Sequence, residues 1–508
     1  MINKFIYSLK SLNEKQILLL LVGATFALRL YAVLMAQGIA YDSAEYGFIA
    51  RDFLRSHFIK GLSSPAPPFY PFLIFLVSPD TTHVEIVGRL ISLFFGTLTL
   101  VPLFYLVKNA VGQKEAVFSG LLYAFHPYLA TYSGMLLTEA TYWGLLVSSV
   151  YFFWTGLTEE KVWKMSFSGI LLGLSYLTRP EGIGYVLIYL GWVVVEGVLR
   201  KKWFKKLILL GVLIPSVFIF VIPYVIYIHQ ETGRWLISKK ALEGQAQFLK
   251  RGGEKADFSK ALEQDKLVGR DSKILTIVRN MVRYFPFVFY RYLRAYHFSL
   301  WLLLFFGLIR VRQKVIGYEV FVASLVLFHL FSLSTFVPSA IRFSIPVVPL
   351  SLFWAGAGIL EIKRYFEKVE ISKPGKAVFF LILVVLLVQL PQSLKPERRH
   401  RAEQKKIGLW LKQNTPPDAI VMSNSSQEAF YADREFVVLR PEISPRGIPG
   451  SFYREILQDA KTKGIRYILV DPNTHETNPD FVESIGSKDL KEIFRKADQG
   501  VILYEVVY

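Results

Sequence analysis

Six ionisable residues stand where the apolar runs of this chain end. They are Asp42 and Glu45 in "YDSAEYGFIARDF", Glu139 in "MLLTEATYWG", Arg179 and Glu181 in "YLTRPEGIGY", and Arg342 in "AIRFSIPVVPL". Carboxylates take up protons or hold hydroxyl groups, and a guanidinium grips phosphate oxygens through a planar fork of donors. Charged side chains at membrane depth are costly and therefore mark sites of binding or chemistry. Each residue also has a plainer reading. Asp42 and Glu45 suit the first turn of a helix, where Asp caps and the dipole favours an acid. An arginine at the end of a membrane helix commonly serves as an interfacial anchor. If all six lie at one depth, the set suits a polar reaction on a lipid-anchored anion.

The elements that must position them are membrane helices. The chain has 508 residues, 53% hydrophobic, 15% aromatic and 19% charged, with a positive mean hydropathy, outside the usual soluble range. Its net charge of +19 lies mostly in short Lys and Arg clusters between apolar runs, where it acts as a topology signal, so a nucleic-acid partner is not expected. Cysteine is absent, which excludes disulfides, thiolate nucleophiles and zinc–thiolate sites. The histidines show no HExxH spacing and the chain has no Walker A pattern, so a dedicated metal site and an ATP-driven pump are disfavoured.

Runs of about 20 apolar residues predict about eleven transmembrane helices, at 16–36, 84–106, 115–133, 138–157, 164–178, 182–199, 206–228, 295–311, 316–335, 343–362 and 376–392. The first run is too long for a signal-peptide core and reads as a retained span. Basic connections such as "RKKWFKK" and "RVRQK" mark one side as cytoplasmic. The loop 37–83, Glu139, "RPEG", the stretch 229–294 and "STFVPSAIR" then fall on the extracytoplasmic side. Within 37–83, residues 42–57 keep helical spacing, with Tyr46, Ile49, Phe53 and Leu54 as an apolar stripe suited to a membrane surface. "SSPAPPFYPF" reads as an irregular segment, with Phe69 and Tyr70 at the interface. "ILTIVRNMVRYFPFVFYRYLR" reads as an amphipathic helix that lies in the interface or gates a lipid.

The fold expected is an α-helical polytopic membrane domain over 1–392 followed by a small soluble α/β domain over 393–508. In the tail "AIVMSN", "FVVLR", "IRYILVD" and "VILYEVV" are predicted strands. "SFYREILQDAKTKG" and "LKEIFRKADQG" are predicted helices. An odd number of spans places the tail outside the cell membrane, whereas the basic "KPERRHRAEQKK" is the flank a cytoplasmic segment would carry.

Taken together these stretches resemble the multi-spanning glycosyltransferases of the C superfamily, in the group that contains the protein O-mannosyltransferases and the lipid A aminoarabinose transferase. "DSAEYGFIARDF" and "PPFYPFL" follow the first-loop pattern of that group, "LTEATYWG" its second acidic motif, and "RFSIPVVPL" its late Arg-aromatic-Pro motif. "ILLGLSYLTRPEG" also matches, and the motifs occur in the right order across the membrane part. Ser43 is a departure, since the group commonly has Glu beside its catalytic Asp, and here Glu45 follows two positions later.

The resemblance implies a polyprenyl-phosphate-linked sugar donor, a hydroxyl acceptor on protein, lipid or glycan, and a multi-pass place in the cell membrane with the active site outside. Nucleotide sugars are confined to the cytoplasm, so an outer-face transferase needs a donor already carried across on lipid. It implies inverting transfer with Asp42 as general base, assisted by Glu45 and Glu139. Arg342 and Arg179 would bind the donor phosphate, and Tyr46, Tyr70 and Glu181 would contact substrate. No cofactor is required, although a divalent cation could assist between Asp42 and Glu139. The rival reading is a transporter or flippase of an anionic lipid-linked substrate. A structural subunit is a third, and it would make all six charged residues dispensable.

Overall fold

The computed structural model describes residues 13–201, 203–240, 270–309, 316–335, 340–395, 399–439, 451–486, 488–496 and 500–507. The chain divides into two compact units whose segments interleave. One comprises 1–36, 62–238 and 268–396. The other comprises 37–61, 239–267 and 397–508, and so gathers a first-loop helix, α1 (Tyr41–Leu54), with the C-terminal segment.

The larger unit is helical because its sequence offers little else. Long apolar runs without water must satisfy every backbone group within the segment. Among the described residues seven helices are long and apolar enough to cross a membrane, or up to eight with the bent pair Val278–Tyr296 and Phe298–Ile309, which turns through 84° at His297. Several expected spans are interrupted. The one over 115–133 is two helices, Gln113–Phe125 and Pro127–Ser133, because Pro127 lacks the N–H that would continue the first.

The centre of this unit is α2 (Glu139–Glu159). Its first turn and nearly all of its circumference are buried, as expected of a helix without a polar face. It packs on α3 (Val162–Thr178), where the hydroxyls of Ser149 and Ser168 bond across the crossing at 3.2 Å. A further helix, α4 (Ile316–Thr335), adds Phe321, which stacks on Phe153 at 5.3 Å. Helices Trp301–Ile309 and Val348–Lys368 cross at backbone contact. A Cβ at Gly307 would run into the carbonyl of Trp354, and one at Gly358 into that of Leu303, so only glycine allows this approach.

The smaller unit contains a five-stranded sheet in the order β2-β1-β3-β5-β4. β1 (Ile420–Ser423), β2 (Glu435–Val438) and β3 (Tyr467–Val470) are parallel, and β4 (Leu490–Lys496) and β5 (Val501–Val506) add antiparallel. A short helix, α5 (Ser426–Ala432), joins β1 to β2, and Ser451–Lys463 leads to β3 and ends at Gly464, whose φ of +64° suits glycine. One expectation changes here. "LKEIFRKADQG", expected as a helix, contains strand β4. Its Leu, Lys and Glu favour helix, but pairing with β5 and the stacking of Phe494 on Trp410 at 4.1 Å override that preference. The basic flank after the last apolar run also leads into a helix, Arg399–Asn414, whose Ile407 and Leu411 are buried against Val421 and Leu469.

Every residue of α5 is buried, Glu428 among them. Burial pushes its carboxyl up from an ordinary 4.5 to about 8. Hydrogen bonds from Ser425, the backbone and Gln404 oppose the shift, and the charge of Asp471 adds to it. The folded unit therefore holds a proton that the unfolded chain releases near 4.5. The stability tied to that proton is complete below pH 4.5 and is lost as pH rises toward 8, by up to about 1.4 kcal/mol per pH unit. Glu428→Gln should remove this slope. Thermal unfolding at pH 5.5 and 8 should show the variant gaining on wild type as pH rises, and parallel curves would refute the assignment.

Candidate functional site

The charged motifs of the larger unit converge at the N-terminus of α2. Glu139 is its first residue and is 2% exposed. Thr138, which precedes it, makes no capping bond. The two charged motifs that follow in the chain reach Glu139 instead. Arg179 ends α3 because Pro180 follows, and the residue before a proline is driven to extended backbone, here φ −149° and ψ 128°. The chain then tightens into a 3₁₀ turn, Pro180–Gly184, which places Glu181 beside the same guanidinium. Arg179 Nη1 donates to Glu139 Oε1 at 3.2 Å and Nη2 to Glu181 Oε1 at 3.3 Å.

Arg342 arrives on the 3₁₀ segment Ile341–Val347, with Nε 3.9 Å from the same Glu139 oxygen. One buried carboxylate oxygen thus faces two guanidiniums. Phe343 lies under both of them, at 5.3 Å from Arg179 and 5.0 Å from Arg342, and Tyr142 adds a second ring at 5.7 Å from Arg179. Aromatic faces attract cations, most strongly where water is scarce. The side chain of Arg342 is 23% exposed and that of Arg179 10%. Arg342 is therefore the more accessible of the two. Two fixed guanidiniums on an aromatic floor, with their mutual repulsion relieved by a buried acid, are suited to a multiply charged phosphate.

Tyr142 was not singled out in the sequence. Its signal is the i,i+3 spacing from Glu139, which puts both on one face of a helix. Tyr70, expected at the interface, is fully buried. Its hydroxyl donates to the Gly88 carbonyl at 2.7 Å and lies 2.9 Å from Ser92 Oγ.

Asp42, Glu45 and Tyr46 belong to the smaller unit, on α1. This helix starts after Ala40, whose N–H donates to Ser43 Oγ at 3.2 Å. Asp42 falls in its first turn, where the dipole favours a carboxylate. At about 100° per residue, Asp42, Glu45, Tyr46, Ile49 and Phe53 share one face, and Gly47, Phe48, Arg51 and Arg55 share the opposite one. That second face docks on α5. A Cβ on Gly47 would enter the Phe430 ring. Arg51 lies over that ring at 3.9 Å, donates to the Phe430 carbonyl at 2.6 Å and pairs with Asp433 at 3.4 Å. Arg55 donates to Asp433 at 2.8 Å, and Phe48 stacks on Phe436 at 6.2 Å. The apolar stripe read as a membrane-surface face is not one, because Tyr46, Ile49 and Phe53 are themselves buried and the reverse side of the helix is also held by protein. Phe430 is 1% exposed, and Phe430→Ala should cost about 3–5 kcal/mol. Hydrogen exchange should find the amides of 41–55 deprotected in that variant.

Among the described residues no group of three or more His, Asp or Glu is placed to hold a metal ion. The stretch 241–269, with its Lys and Arg, lies outside the described residues.

Part of the chain is similar to a known family, and its fold is similar to solved structures. Residues 65–227 match the family described as dolichyl-phosphate-mannose-protein mannosyltransferase, a region that includes Glu139, Arg179 and Glu181. No curated protein matches the chain. Among solved structures, ArnT from Cupriavidus metallidurans bound to undecaprenyl phosphate superposes with a TM-score of 0.58 at 12% identity, covering 96% of this chain and 98% of that one. Its apo state gives 0.60 at 12%, covering 96% and 97%. The apo oligosaccharyltransferase of Archaeoglobus fulgidus gives 0.52 at 12%, covering 92% and 70%. The fold is that of ArnT, and the chain resembles the C-superfamily membrane glycosyltransferases.

Proposed function

We propose that this chain is a multi-pass membrane glycosyltransferase that moves a sugar from a polyprenyl-phosphate donor to an acceptor hydroxyl, with inversion, on the outer face of the cell membrane. The observation that carries the reading is the pair Arg179 and Arg342 gathered by buried Glu139 over Phe343. The match to a family named for dolichyl-phosphate-mannose supports it, as does the fold shared with a protein crystallised with undecaprenyl phosphate.

In the proposed reaction the acceptor oxygen attacks the anomeric carbon and the bond from that carbon to the phosphate oxygen breaks, its electron pair remaining on the phosphate. The acceptor proton passes to the carboxylate of Asp42, acting as general base. The departing polyprenyl phosphate gains negative charge, which Arg342 and Arg179 stabilise. Phosphate leaves well as an anion, so no strong acid is needed. Glu139 holds the two arginines. Glu45, Glu181 and Tyr46 are proposed to position sugar or acceptor hydroxyls, whereas Tyr70, fully buried and bonded to Gly88 and Ser92, is proposed to pack and not to touch substrate. A divalent cation that assists the reaction would reveal itself as activity lost to chelator and restored by a divalent metal.

The test is sugar transfer by the reconstituted full chain, offered radiolabelled polyprenyl-phosphate monosaccharides with membrane acceptors. Label should move from lipid to acceptor. Lipid-linked sugar that crosses the bilayer intact, with no transfer, would establish the transporter reading instead.

A further inference from the structure

Neither the 3₁₀ turn that carries Glu181 nor the one that carries Arg342 is a regular element, and each needs something to fix it. We infer that His329 is a positioning residue that ties these two turns together and so sets the spacing of Arg179 and Arg342. The inference rests on the reading of those arginines as the donor-phosphate site.

His329 sits in the last third of α4, in an otherwise apolar stretch, and is 2% exposed. Its Nε2 is 2.8 Å from the Phe343 carbonyl and its Nδ1 is 2.9 Å from Tyr185 Oη. A carbonyl only accepts, so Nε2 carries the proton and donates to Phe343. Nδ1 is then the acceptor and receives the Tyr185 hydroxyl proton. One tautomer satisfies both bonds. Tyr185 follows directly on Pro180–Gly184, and Phe343 is the aromatic floor beneath both guanidiniums. The imidazole and the Tyr185 ring are nearly parallel, at 14° and 6.2 Å between centroids. The preceding residue of α4 reinforces the seat, because Phe328 packs edge-on to Tyr185 at 5.6 Å and a Cβ on Gly184 would enter its ring. Two neighbouring residues of one helix thereby hold both charged turns, although neither touches Glu139, Arg179 or Arg342 in the contacts described.

Such a role makes a particular energetic signature. Loss of His329 frees Phe343 and Tyr185 to shift, and the arginines lose their fixed spacing, so affinity for phosphate falls while each guanidinium remains present. The two hydrogen bonds are internal to the protein, so their loss reaches affinity only through the displaced arginines, and a misplaced phosphate contact worth about 1.4 kcal/mol is tenfold in Kd.

The experiment measures binding of radiolabelled polyprenyl phosphate, without sugar, to the reconstituted full chain. The variants are His329→Ala, His329→Gln, Tyr185→Phe, Arg342→Ala and the double variant His329→Ala with Arg342→Ala. We expect His329→Ala to raise Kd about tenfold. Tyr185→Phe should have a smaller effect, and His329→Gln, which keeps a donor for the Phe343 carbonyl, should recover part of the loss. In the Arg342→Ala background the His329 penalty should shrink severalfold, since the arginine it positions is gone. A purely structural histidine would lower the unfolding temperature without this non-additivity. A Kd for His329→Ala within twofold of wild type, or a penalty undiminished in the Arg342→Ala background, overturns the inference and leaves the phosphate site standing. If Arg342→Ala alone leaves Kd unchanged, the phosphate assignment fails and the role of His329 with it. Should His329→Ala not fold, His329→Gln and Tyr185→Phe carry the same comparison.

Discussion

Asp42→Asn should reduce sugar transfer by about 10²–10⁴-fold while leaving donor affinity and thermal unfolding close to wild type. The amide has the shape of the carboxylate and cannot take up the acceptor proton. The structure gives the reason that folding should survive. The helix start is secured by Ser43, which accepts the Ala40 N–H, and the docking of α1 uses Gly47, Phe48, Arg51 and Arg55 on the face opposite Asp42. Removing one charge from the first turn forfeits the dipole interaction, about 0.3–1 kcal/mol. Single-turnover transfer with saturating donor reports the chemical step without contributions from lipid exchange. A variant as active as wild type would dismiss Asp42 as the base and pass the role to Glu45 or Glu139, to be tested by the same substitution to the amide.

The charged set could be read from the sequence because apolar surroundings make such residues conspicuous. Glu139, Arg179, Glu181 and Arg342 stand at the ends of long hydrophobic runs, and the structure gathers these four around one carboxylate oxygen and its pair of guanidiniums. "TRP" even shows the turn, since a proline after Arg179 dictates where α3 stops. Residues whose function lies in distant partners were not legible. Nothing local in "YGFIARDF" indicates that Arg51 meets Phe430 and Asp433, more than 370 positions away. Glu428 in "SSQEAF" reads as an ordinary first-turn acid until the sheet and the helix Arg399–Asn414 enclose it. β4 was read as a helix because Leu, Lys and Glu prefer that state and its partner strand lies beyond the range of a local pattern. His329 is one of eight histidines and shares no metal-ligand spacing with the others. A lone ionisable residue inside an apolar span is nonetheless itself a signal of function.

Glu139 and Arg342 should separate stability from function. Glu139→Ala removes a 2% exposed carboxylate and leaves Arg179 with Glu181 on one side and Arg342 on the other. Breaking a buried ion pair by deleting one member costs about 3–5 kcal/mol, because the remaining charge is stranded away from water. A large drop in unfolding temperature or in detergent stability is therefore expected, together with lost transfer. Arg342→Ala acts differently. It leaves the bonds from Arg179 to Glu139 and Glu181 in place, and the side chain removed is partly exposed and stands 3.9 Å from its acid. The cost in stability should stay near 1 kcal/mol or below, whereas transfer should fall by about 10²–10³-fold, the scale found when one preorganised group that stabilises developing negative charge is deleted. The decisive comparison is Arg342→Lys. A lysine restores the positive charge as a compact ammonium without the planar fork, so it should regain donor affinity more fully than turnover if geometry at the phosphate matters. Equal recovery of both would mean that charge alone is required. A stable Glu139→Ala variant with normal transfer would show that the two guanidiniums are held apart by something other than this carboxylate, and the site would have to be rebuilt around Glu181.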